Sequence, residues 1–100
     1  MKDGQVWEIV SLAIHEAELT EFEHGVRDAL DVLRGSPGCF EAHYLAGIET
    51  PARPHFLIRW GSVAEHLEFR ESERFAAYRS PIERCFEEAP SFAHFHVSAE

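Results

Sequence analysis

The residues best suited to chemistry gather at one junction, His55-Phe-Leu-Ile-Arg-Trp-Gly-Ser-Val-Ala-Glu-His66. An unperturbed His66 titrates near neutrality, so it can take the proton of a phenol. Trp60 offers a flat wall for an aromatic ligand. It could equally be a core plug whose indole N–H needs a partner. Val63, His66, Leu67 and Arg70 follow i, i+3, i+4, i+7 and share one helical face. That face turns His66 toward Trp60 or leaves it on a rim, half in water. Arg70 and Tyr78 can hydrogen-bond a polar ligand from the helical region. The question these residues pose is whether a ligand cleft lies between the Trp60 and His66 rings.

A second cluster is weaker. His94 and His96 alternate onto one face of a strand, but a metal needs a third ligand and usually a fourth. The first strand, expected beside them, offers only Glu8 or His15. A polar strand face is the reading, and no metal is assigned. Cys39 and Cys85 have no base at a readable spacing, so no nucleophile is assigned either.

The elements that must position these groups are legible as alternating patterns. Gln5 to Ile14 is rich in β-branched and aromatic residues and predicts a strand. Val6, Val10, Leu12 and Ile14 face one way, and Trp7, Ile9 and Ala13 the other. Both faces are apolar, so both need cover. Leu19 to Leu33 predicts a helix with Leu19, Phe22, Val26, Leu30 and Leu33 as its apolar stripe. Gly25 within it is small enough for another element to approach closely. Gly35-Ser36-Pro37-Gly38 stops the helix.

Cys39 to Glu49 and His55 to Gly61 predict a hairpin of strands, with Phe40, Ala42, Tyr44, Ala46 and Ile48 on one face. Tyr44 and His43 fall on opposite faces, and Arg59 points away from Trp60. Ser62 and Glu65 have capping-box spacing. Ser80-Pro81-Ile82-Glu83 repeats it, predicting a helical region over 63–89 broken near Ser80. Ser91 to Ala99 is the last strand. The order βαββαβ predicts an α+β, ferredoxin-like sandwich: a four-stranded antiparallel sheet with helices on one face. One helical layer leaves the other face of the sheet bare. Packing it against a second copy would cover it, so a face-to-face homodimer is expected.

Composition narrows the classes. One hundred residues with 45% apolar content make one domain, over residues 1–100. A net charge of −9 argues against nucleic acid and anionic membranes as partners. No signal peptide or membrane-spanning run is present, and two unlinked cysteines fit a reducing cytoplasm.

Ser36-Pro-Gly-Cys-Phe40, Phe56-Leu-Ile-Arg-Trp-Gly-Ser62, Ser72-Glu-Arg-Phe75 and Ala93-His-Phe-His-Val97, in this order, resemble the antibiotic biosynthesis monooxygenase family. That family lies within the dimeric α+β barrel superfamily, and the resemblance covers about residues 6 to 98. It implies a ligand in the cleft between sheet and helices of each protomer. Some members oxidise aromatic phenols to quinones without a cofactor, and others bind and degrade haem. Trp60 matches the tryptophan that lines the cleft in both branches, so Phe56, Ile58, Val10 and Arg70 are expected to bind substrate beside it. His66 and Tyr78 are the expected catalytic pair. The resemblance also allows His66 to ligate haem iron, which makes a haem or small-metabolite binding protein the alternative. A dimeric module without chemistry is the third reading. Both branches rely on an Asn near the ligand, and this chain has none. Val10 occupies the position where the haem degraders keep theirs.

Overall fold

The computed structural model describes residues 6–98. Its elements are β1 (Val6–Ser11), α1 (Leu19–Arg34), β2 (Cys39–Leu45), β3 (His55–Trp60), α2 (Val63–Arg70), α3 (Glu73–Arg79) and β4 (Ser91–Phe95). The strands form one antiparallel sheet in the order β2-β3-β1-β4. This is the ferredoxin-like α+β fold expected from the element order. Gln5, the expected start of the first strand, and Ala99, the expected end of the last, lie outside the described residues.

Strand alternation divides the sheet into two unlike faces. Toward the helices run the rows Val6–Trp60–Cys39, His94–Glu8–Ile58–Ala42 and Phe92–Val10–Phe56–Tyr44. Away from them run Phe95–Trp7–Arg59–Glu41 and Ala93–Ile9–Leu57–His43. The core joins the first set to Phe22, Val26, Ala29 and Leu33 of α1 and to Phe69, Tyr78 and Ile82. Phe22, Val26 and Leu33 belong to the stripe that the spacing identifies; Ala29 joins them, while Leu19 and Leu30 are only partly buried.

Three local expectations are corrected. β1 ends at Ser11, because Leu12 and Ile14 donate to the carbonyls of Pro54 and Ala52 in a loop, not to a strand. Phe40 does not join the Ala42 and Tyr44 face. A bulge between Cys39 and Glu41 turns it onto the bare face, where the Arg59 guanidinium lies 5.2 Å from its ring centre. The helical region breaks at Ser72 as well as near Ser80, where α3 ends at Arg79. The Ser72 hydroxyl donates to the Phe69 carbonyl (2.8 Å) and accepts from the Arg74 N–H (3.2 Å), ending one helix and capping the next. After Arg79 no α-helix follows; buried Ile82 and Cys85 hold a 3-10 turn, Glu83–Cys85, against the core.

The two informative glycines behave differently. Gly25 admits the Pro81 carbonyl so closely that a Cβ there would collide with it. Gly38, not Gly35, takes the left-handed conformation, at φ 84°. The Ser62 cap forms as expected: its hydroxyl accepts from the Glu65 N–H at 3.1 Å and donates to the Glu65 carboxylate at 3.2 Å. That cap sets the direction of α2 and thereby the side on which His66 falls.

Candidate active site

Trp60 and His66 do meet, but no cleft separates them. Their rings stack with centres 5.0 Å apart and planes 28° apart. Trp60 is fully buried, covered also by Phe69 at 5.3 Å. Its indole N–H donates to Glu8 Oε1 at 2.9 Å. The same oxygen lies 3.3 Å from His66 Nε2. His66 Nδ1 in turn lies 2.8 Å from His94 Nε2. Four polar side chains from β1, β3, α2 and β4 therefore form one chain across the inner face.

This network explains how two ionisable groups tolerate burial. Glu8 and His66 are 3% and 2% exposed. A buried charge is costly, so each group is driven toward its neutral form. Burial pushes Glu8 up to about 7, against the opposing pull of the Trp60 N–H and the Arg70 charge. Burial, with His94 and Arg70 nearby, pushes His66 down to about 4. Burial lowers His94 as well.

Donor chemistry then assigns the protons. An indole N–H only donates, so Glu8 Oε1 accepts. A proton on His66 Nε2 makes its contact with that oxygen attractive. His66 Nδ1 is then the acceptor for an N–H on His94 Nε2. One tautomer set satisfies the chain, and it leaves neutral Glu8 carrying its proton on Oε2.

A cavity of about 230 Å³ opens beside this network. Five of the candidate residues, Val10, Ile58, His66, Arg70 and Tyr78, line it. Trp60 and Phe56 do not. Both have no exposed surface and lie beneath the cavity in the core, because α2 and α3 lay His66, Phe69 and Tyr78 over them. His66 is likewise buried rather than rim-exposed. Val63 and Leu67, expected beside it on the sheet-facing side, are exposed, and Phe69 takes that side instead.

Glu8, Phe75, Arg79 and Phe92 also line the cavity. Glu8 and His94, expected only as neighbours on adjacent strands with no role at the site, belong to its network. Glu8 was legible: it lies between Val6 and Val10 in the inward phase of β1, an acid where an apolar residue is the rule. His94 pairs with Glu8 directly in the β1–β4 register. His96 is exposed and takes no part.

Tyr78 is buried beside Glu8, which raises its phenol well above the ordinary tyrosine range. It stays protonated and can donate. Arg70 lies at the open end, with its guanidinium 4.6 Å from the Phe92 ring centre. Both cysteines are free, and burial raises both thiols, Cys39 to about 11, which withholds the thiolate a nucleophile needs. Among the described residues no group of three or more His, Cys, Asp and Glu could hold a metal ion, and no helix is long and apolar enough to cross a membrane.

A haem does not fit this arrangement. Both His66 nitrogens are engaged, so no lone pair is free for iron without breaking the contact to His94. The cavity also falls below the roughly 300–1,000 Å³ usual for larger organic ligands.

The chain is thus a ferredoxin-like α+β sandwich with a polar-ended cavity between its sheet and its helices. The model of the antibiotic biosynthesis monooxygenase family matches residues 6–80, and the chain belongs to that family. A Bordetella bronchiseptica protein provisionally assigned to the same family is 29% identical, with a TM-score of 0.89 over 95% of this chain and 98% of that one. A Nitrosomonas europaea protein with the same provisional assignment shares the fold at 13% identity and a TM-score of 0.82, over 95% of this chain and 91% of that one. One from Caulobacter crescentus does so at 17% identity and 0.81, over the same shares. No curated protein matches the sequence.

Proposed function

We propose that this chain is a cofactor-independent monooxygenase that oxidises a small, electron-rich phenol to a quinone, with Glu8 as its base. The carrying observation is the buried carboxyl at the cavity wall, held near neutrality by burial and fixed by the Trp60 N–H. A group poised near working pH can both take and return a proton. About 150 Å³ is enough to enclose benzene, so a cavity of about 230 Å³ suits one substituted ring.

In this reading Glu8 takes the phenolic proton, and the phenolate reduces O₂ by one electron. The radical pair joins at the para carbon to give a peroxide, which Glu8 protonates. Glu8 then removes the hydrogen on that carbon as the O–O bond breaks and hydroxide leaves as water. Phenol and O₂ thus become quinone and water, with no outside reductant. Tyr78 donates a hydrogen bond to the substrate oxygen. His66 positions Glu8 and His94 positions His66, so His66 is not itself the base. Ile58 and Val10 hold the ring, and Trp60 and Phe56 support the site from below.

The family resemblance and the apolar bare face support a homodimer. That face carries Trp7, Ile9 and Leu57, with Phe40 and Phe95 about half exposed. Packing two such faces together would bury them.

The test is quinone formation from electron-rich monophenols with hydrogen on the para carbon, such as methoxyphenols, followed by absorbance and oxygen uptake. Glu8→Gln should lower kcat by roughly 10²–10⁴-fold. A Glu8→Gln variant with the wild-type rate would remove Glu8 as base. His94→Phe should shift the pH profile while leaving KM nearly unchanged. No quinone above the uncatalysed rate would remove the whole reading.

A further inference from the structure

We propose that the substrate ring carries a carboxylate, read at the open end of the cavity by Arg70 and Arg79. The inference rests on this cavity being the substrate site of the proposed oxidation. It starts from two cations left without full partners in a chain that has twice as many acidic as basic residues: 18 Asp and Glu against nine Lys and Arg.

Arg79 lines the cavity, and its Nε is buried without a hydrogen-bond partner. The nearest carboxylate, Glu83, lies 3.6 Å from that nitrogen, an ion pair beyond hydrogen-bond reach. Arg70 also lines the cavity and makes no ion pair among the described residues. Its guanidinium rests on rings instead, 5.0 Å from the centre of Phe75 and 4.6 Å from that of Phe92. The Arg79 guanidinium lies 5.4 Å from the same Phe75 ring. Phe75 therefore holds both guanidinium groups at one end of the cavity, with the Arg79 Nε hydrogen bond unmade. A guanidinium fork matches a carboxylate in shape and in hydrogen-bond direction.

The charge layout orients the ligand. Glu8 and His66 form the buried end and the arginines the open end. An ionised Glu8 repels a second carboxylate, so the acid group stays outside and the phenol points inward. The acidic surface elsewhere repels anions, which makes a local cationic entrance necessary to admit one.

Binding is measured calorimetrically without oxygen, using 3,5-dihydroxybenzoate and 3,5-dihydroxybenzamide, each with hydrogen para to a phenol. The acid should bind at least about tenfold more tightly, a difference of about 1.4 kcal/mol. The ratio should fall in Arg70→Gln and approach one in Arg70→Gln/Arg79→Gln. Equal binding of acid and amide, no binding of either, or a ratio that persists in both variants overturns the proposal. Turnover in air separates the two readings. Equal binding with oxidation of both compounds sinks the carboxylate alone. Preferred binding of the acid without quinone keeps the carboxylate and sinks the oxidation.

Discussion

The two faces of the sheet are built from the same strands, yet they handle charge in opposite ways. On the inner face Glu8 is nearly inaccessible, its acceptor oxygen taken by Trp60, and His66 lies beside it. On the outer face Glu41 pairs with Arg59 at 2.8 Å, but both remain partly exposed. Water screens the outer pair, and such pairs add little to stability. The inner carboxyl has no such screening, so its environment dictates its protonation. Charge that is solvated serves as surface; charge that is enclosed becomes a titrating device.

Three measurements would break or sharpen that contrast. The largest effect is expected at the two tryptophans. Trp60→Ala should cost about 3–5 kcal/mol, because it opens a void and strips Glu8 of its donor. Trp7→Ala, on the outer face, should cost the chain clearly less in the same denaturant titration. Equal losses would mean that the faces do not differ as described.

Next comes the pH dependence of stability. Glu8 has a folded value raised from 4.5 to about 7, so folding favours its protonated form. Its contribution is present below pH 4.5 and is lost as pH rises through about 7. Glu8→Gln removes that loss, so the variant should gain on wild type between these values, by on the order of 3 kcal/mol, and hold constant above. His66, held down to about 4, contributes in the opposite sense: its part is present above 6.5 and is lost as pH falls toward 4. It is common to both proteins and cancels in the difference. A difference independent of pH would show that Glu8 titrates normally.

The smallest effect on the single chain is expected from Ile9→Glu. Ile9 is half-buried on the outer face, and the change should appear as loss of the dimer in light scattering while unfolding of the monomer shifts little. A monomeric wild type would remove the proposed dimer.

Much of the fold was legible because strand alternation and the Leu19–Leu33 stripe report burial directly. The Ser62 cap and the close approach at Gly25 were readable for the same local reasons. The break at Ser72 was not, because Ser80-Pro81 carries an equally good capping signal. The extra break follows from the packing of Phe69, Phe75 and Tyr78 against one another. Phe40 escaped because a one-residue bulge leaves no mark in a hydrophobic pattern. At the site, Glu8 adds nothing to the apolar periodicity of β1, although its phase places it among core residues. The faces of Trp60 and Phe56 were correct, but which rings end up under the cavity depends on how α2 and α3 lie across the sheet. That is a tertiary property.

The hydrogen bond from Trp60 to Glu8 has one more consequence. The chain contains two indoles, Trp7 and Trp60, one on each face of the sheet. An indole bonded to a titrating carboxyl feels the change in charge through its N–H, so its emission and its amine chemical shift should follow that single proton. The other indole, on the outer face, should respond instead to whatever covers it. Single-tryptophan variants, with Phe in the remaining position, would give the protein two separate built-in indicators, one for the ionisation of its site and one for its assembly.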